Sequence, residues 1–63
     1  MAYLAVDEDG TENICSAEPF RDEIVWVIPY WDETAQLIEL PKGSIAKLIG
    51  RELTWEDEPV ELK

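Results

Sequence analysis

Ala2-Tyr3-Leu4-Ala5-Val6-Asp7-Glu8-Asp9-Gly10-Thr11-Glu12-Asn13-Ile14-Cys15-Ser16 is the stretch from which the fold can be read. Residues 2–6 and 12–16 read as the arms of a β-hairpin, because Asp9-Gly10 is a strong turn signal between two apolar-rich runs. A three-residue loop, Glu8-Asp9-Gly10, with Gly10 in the left-handed conformation, sets Leu4 opposite Ile14 and Val6 opposite Glu12. Leu4, Val6 and Ile14 then share one face. A two-residue loop would oppose Leu4 to Cys15 and Val6 to Asn13 and mix the faces. Register follows the face to be buried, so the three-residue loop is expected.

The rest of the chain is read outward from that hairpin. Residues 18–23 form a polar, proline-containing connection. Ile24 to Ile28 is a continuous apolar run, β-branched and aromatic, and reads as a central strand buried on both faces. Pro29 cannot donate to a ladder, so the strand should end near it. Residues 32–36 are a turn, and Leu37-Ile38-Glu39-Leu40 is a further strand closed by Pro41. Ser44–Ile49 reads as a short helix, with Ser44 as N-cap and Gly50 as the left-handed terminator. Ile45, Leu48 and Ile49 fall on one stripe that should face the sheet. Residues 53–55 and 60–62 alternate and can form two short strands around Glu56-Asp57-Glu58-Pro59. The expected fold is α+β: one domain over residues 1–63, an antiparallel sheet of four to five strands, and one short helix (44–49) packed on one face.

Composition bounds the function classes. The chain has 63 residues, of which 46% are apolar, including three Trp. It is therefore a folded mini-domain and not an acidic disordered tail, which would lack aromatics. A core of this size yields only ~3–5 kcal/mol of net stability. Cys15 is the single cysteine, so neither an intrachain disulfide nor a Cys-rich zinc site can form. Small secreted domains usually need disulfides, so a reducing cytoplasm is expected. The segment from Met1 to Val6 has no basic residues before its apolar ones and does not read as a signal peptide. The longest apolar run, 24–31, is far short of the ~20 residues needed to span a bilayer.

Charge is the dominant feature. Fifteen Asp and Glu stand against five Lys and Arg, with no His, for a formal charge of −10. Such a field repels nucleic acid and anionic membranes and draws in basic surfaces. Most of the acids fall in expected turns. One reading is a solvated surface that keeps a small protein soluble. The other is an acidic patch that docks on a basic protein. Duplex DNA carries one charge per ~1.7 Å of axis. A body roughly 25 Å long thus faces about fifteen phosphate charges, a number comparable to the carboxylates here. That makes nucleic-acid mimicry consistent with the charge count. Asp7-Glu8-Asp9-Gly10 is like half of a calcium loop. With Gly10 as its glycine, however, the loop would begin at Ala5 and end at Ser16, neither of which carries the end carboxylate. No metal site and no cofactor are expected. Without His the usual neutral-pH base is absent, and no catalytic residue is assigned. The chain is not read as an enzyme.

Among the aromatics, Trp26 reads as core, while Phe20, Tyr30 and Trp31 lie at strand ends or in loops. They either cover the rim of a small core or form a contact patch, since Tyr and Trp are frequent binding anchors. The basic residues are scattered at 21, 42, 47, 51 and 63. Stacking on single-stranded nucleic acid needs a positive groove, so direct nucleic-acid binding is not expected.

Residues 38–62, from Ile38-Glu39-Leu40-Pro41-Lys42-Gly43 through Trp55-Glu56-Asp57-Glu58-Pro59, resemble a group of short, acidic, uncharacterised proteins of bacteriophages and mobile elements of gut bacteria. The Asp-Gly hairpin is similar too. The resemblance implies no activity and no site residues. It implies a setting, the cytoplasm of a bacterial host, in which small phage proteins often work by binding and blocking host machinery, nucleic-acid-guided defence nucleases included. The expected function is a non-enzymatic binder that occludes a basic surface of a nucleic-acid-handling partner. Asp22, Glu23, Asp32, Glu33, Glu56, Asp57 and Glu58 would supply charge, and Tyr30 and Trp31 the apolar anchors. The alternative is a structural or assembly module, a homo-oligomer or phage-particle component that buries the run 24–31.

Overall fold

The Asp-Gly hairpin forms in the expected register. In a computed structural model, which describes residues 2–62, β1 (Ala2–Val6) pairs antiparallel with β2 (Glu12–Cys15). Leu4 lies opposite Ile14 and Val6 opposite Glu12. Met1 and the basic residue Lys63 lie outside the described residues. The loop is closed by Gly10 N–H donating to Asp7 O and Asp7 N–H donating to Thr11 O, both at 2.9 Å. Gly10 has φ 91°, a value that L side chains rarely adopt. The hairpin is the centre of the main sheet. β5 (Leu37–Leu40) adds to β2, and β6 (Val60–Leu62) adds to β1, giving the order β5-β2-β1-β6 with every pair antiparallel.

On one face of this sheet Leu4, Val6, Ile45 and Leu53 form a buried cluster, with Ile14, Leu40, Ile49, Val60 and Leu62 packed around it. Burying one such side chain is worth about 1.5–3 kcal/mol. Ile45 and Ile49 come from α1 (Ser44–Ile49), which ends at Gly50 with φ 78°. The two-turn helix is thus held by its apolar contact with the sheet. Ala5, Asn13 and Cys15 point to the opposite face and are buried as well. The sheet is therefore covered on both sides over its centre.

Five local expectations are corrected. Residues 24–28 do not form a central strand. β3 (Phe20–Asp22) and β4 (Val25–Val27) make a separate two-stranded sheet, in which only Trp26 is buried. The polar connection 18–23 therefore contains a strand, β3, which pairs antiparallel with β4. Ser44 does not cap α1. Its hydroxyl donates to Pro41 O at 2.6 Å, and Gly43 occupies the N-cap position. Leu48 is exposed, since so short a helix reaches the core only through Ile45 and Ile49. Residues 53–55 form no strand; Leu53 is core, and Thr54–Asp57 make a turn.

The molecule has a radius of gyration of 10.7 Å and extends 31 × 26 × 18 Å. Among the described residues, no helix is long and apolar enough to cross a membrane.

Candidate functional site

The β3–β4 hairpin turns through Glu23 and Ile24, with Asp22 opposite Val25 and Phe20 opposite Val27. Glu23 takes φ 59°, in the left-handed region. Strand alternation sends Arg21 and Trp26 to one face and Phe20, Asp22, Val25 and Val27 to the other.

The first face is fastened to the main sheet. Trp26 Nε1 donates to Val6 O at 2.9 Å, and Trp26 N–H donates to Asp7 Oδ1 at 2.8 Å. Glu8 N–H donates to Ile24 O at 3.0 Å. The Arg21 guanidinium lies 4.8 Å from the ring centroid of Trp26 and 4.7 Å from that of Trp55, in cation–π contact with both. The two indoles meet edge-on, centroids 5.8 Å apart. Arg21 also donates to Asp57 O at 3.3 Å and stands 3.8 Å from Glu58 Oε2. That contact is the only ion pair among the described residues.

The second face is open. Phe20 is 40% exposed, Val25 38%, Trp31 67% and Tyr30 88%. The rings are nonetheless organised. Phe20 and Trp31 are nearly parallel, with centroids 6.0 Å apart, and Tyr30 meets Trp31 edge-on at 4.9 Å. Pro29 and Asp32 help to set this geometry, since Asp32 N–H donates to Pro29 O at 3.2 Å and folds the chain back at Tyr30-Trp31. Asp32 Oδ1 in turn accepts from Thr34 Oγ1 at 2.7 Å and Thr34 N at 3.0 Å. The Thr34 hydroxyl and amide hold its carboxyl below the usual range.

The nine residues expected to bind a partner fall into two groups. Asp22, Glu23, Tyr30, Trp31, Asp32 and Glu33 belong to the open face, its turn and the segment that follows it. Glu56, Asp57 and Glu58 belong to the turn on the Arg21 side. A shallow cleft of about 430 Å³ joins the two sides, with Phe20, Arg21, Trp26 and Glu58 among its walls. Asp57 has a structural task. Its Oδ2 accepts from Thr54 N at 2.8 Å and Thr54 Oγ1 at 3.1 Å, which lowers its pKa. Glu56 and Glu58 remain exposed.

A second acidic feature was not foreseen. A groove of about 620 Å³ is lined by Asp7, Glu8, Glu12, Glu52 and Glu56, with Trp55 and one cation, Lys42, also in its wall. These acids come from distant segments, and only the topology brings them together. Asp7 and Glu12 are committed to structure. Asp7 holds Trp26 N–H, and the Glu12 carboxylate accepts from Gly43 N at 2.7 Å and Ile45 N at 2.8 Å.

Phe20 joins Tyr30 and Trp31 on the open face, and its place beside a proline and a charge run gave the sequence reading only a weak signal. What the face offers chemically is apolar area and ring surfaces. The one thiol is withdrawn from chemistry. Burial, with the Asp7 charge second, pushes Cys15 up to about 11, so it stays protonated at neutral pH. Among the described residues no group of three or more His, Cys, Asp or Glu is arranged to hold a metal ion. Comparison with known proteins brings no match: no family model fits the chain, and neither a curated protein nor a solved structure is similar to it.

Proposed function

We propose that the chain is a non-enzymatic binding protein that occludes a basic surface of a nucleic-acid-handling partner. The observation that carries this reading is negative charge left almost without internal cations. Among the described residues fifteen carboxylates and four cations yield a single ion pair, and the cation in it lies against two indoles. Carboxylates that are not neutralised by cations inside the molecule act outward on whatever cation approaches. The stacked aromatic cluster supports the same reading, because charge steers an encounter and buried rings supply affinity. The resemblance to short acidic proteins of phages and mobile elements points in the same direction, towards an inhibitor acting in a bacterial cytoplasm on host defence machinery. In this reading the protein competes with nucleic acid for its site, as a mimic of charge.

The test is capture from a bacterial lysate on the immobilised protein, with elution by stepped salt and, separately, by a short DNA duplex. The expected result is a retained protein that binds nucleic acid, leaves as salt rises from about 0.05 to 0.3 M, and is displaced by the duplex. Reversing Glu33, Glu56 and Glu58 to Lys should abolish retention. Retention that ignores salt, duplex and charge reversal overturns the proposal.

A further inference from the structure

The open face of the β3–β4 hairpin combines three properties. It is apolar, with Phe20, Val25, Tyr30 and Trp31 all exposed. It is ordered, with Phe20, Trp31 and Tyr30 in mutual ring contact. Its own segments edge it with acid. Asp22 stands opposite Val25 on the same face, Glu23 makes the turn, and Asp32 and Glu33 follow Trp31 directly. Between residues 20 and 33 the only cation is Arg21, and it is turned away, between Trp26 and Trp55.

Resting on the reading of the chain as an acidic binder, we infer that this face is the docking surface, and that its occupant is a partner surface with an apolar centre ringed by Lys or Arg. The same arrangement argues against a second copy of the chain. A two-fold interface places one patch against itself. Asp22, Glu23, Asp32 and Glu33 of one protomer would then meet the same four residues of its partner, while Arg21 of each is held against its own two indoles. Like charges brought together in this way oppose the interface. A basic rim reverses the sign of every one of those contacts and leaves the apolar centre to be buried. The cost of ordering is low as well. The platform is already tied down by Trp26 Nε1 to Val6 O, Trp26 N to Asp7 Oδ1 and Glu8 N to Ile24 O, and rigid aromatic anchors lose little freedom on binding.

Two peptide probes of equal positive charge separate charge from apolar docking, one alternating Lys and Leu, the other Lys with Gly in place of Leu. The Lys–Leu peptide should bind the wild-type protein about tenfold tighter than the Lys–Gly peptide, the size expected when an apolar anchor is engaged. Trp31→Ala, and independently Phe20→Ala, should erase that preference. Leu48→Ala, which removes an exposed apolar side chain of α1, should preserve it. Sedimentation should give a monomer throughout. Equal binding of the two peptides, a preference that survives both aromatic substitutions, or a dimer that Trp31→Ala dissolves would each overturn the inference. The lysate experiment keeps its failure distinct from that of the underlying reading. Salt- and duplex-sensitive capture that is as strong with Trp31→Ala as with wild type removes this face and leaves the charge reading standing. No such capture by either protein removes both.

Discussion

Glu12 does two jobs with one residue. Its backbone pairs with Val6 on one side and Leu40 on the other, and its carboxylate accepts from Gly43 N–H and Ile45 N–H at the start of α1. A helix leaves its first N–H groups without partners, and a negative charge placed there also meets the positive end of the helix dipole. We expect Glu12→Ala to cost about 1–2 kcal/mol in urea unfolding at neutral pH. Glu12→Gln should cost less, because the amide oxygen keeps one of the two bonds. A loss indistinguishable from zero in Glu12→Ala would remove the capping role. This contact could not be read from the chain. Capping rules are local, and they nominate Ser44, whereas the acceptor arrives from the hairpin across the sheet. The turns built by Asp9 and Asp32 were legible, since an Asp that bonds the backbone two residues on is written in the local sequence.

Among the elements, the β3–β4 hairpin is where reading and structure part. A continuous apolar run signals burial on both sides only when both sides are covered. In Ile24–Ile28 the apolar character serves different ends. Trp26 enters the interior, Val25 faces outward, and Ile24 sits in the turn. Period alone cannot separate that case from a central strand. By contrast, β1, β2 and β5 were legible because the Asp-Gly turn and Pro41 punctuate them. The β3–β4 turn places Glu23 at φ 59°, which for an L residue costs roughly 1–2 kcal/mol. Glycine removes that cost and returns part of it as unfolded-state entropy. Glu23→Gly should therefore stabilise the protein by about 0.5–1 kcal/mol, whereas Glu23→Ala should not. Chemical denaturation checks both, and a destabilised Glu23→Gly would show that the turn is not strained.

For the whole molecule, charge dominates the response to solvent. With −10 on a body of radius of gyration 10.7 Å, repulsion acts over distances comparable to the roughly 8 Å Debye length. The melting temperature should rise with added salt, and it should rise on mild acidification towards about pH 5 as repulsion eases. Below the ordinary Asp value of 3.8 the trend reverses. Asp9, Asp32 and Asp57 are each held below the ordinary value of 3.8, chiefly by hydrogen bonds from Thr11, Thr34 and Thr54 respectively. A lowered carboxyl pKa contributes stability above the unfolded value and loses it as pH falls through the folded one. Melting temperature should therefore drop below pH 3.8. At the alkaline end Cys15 adds a loss as pH rises from 9.0 to about 11, because the unfolded thiol ionises first. Thermal melts across both series check these signs, and a flat salt series would contradict them. The charge was legible from composition, but its distribution was not, because the acids of the groove are gathered from segments far apart in the chain. The hairpin tip has one more consequence. Asp7 and Glu8 tie down the β3–β4 hairpin and Glu12 the start of α1, and all three precede these two segments in sequence. A chain emerging from the ribosome thus completes its anchoring points before the pieces that fasten to them have been translated, so assembly can proceed in the direction of synthesis.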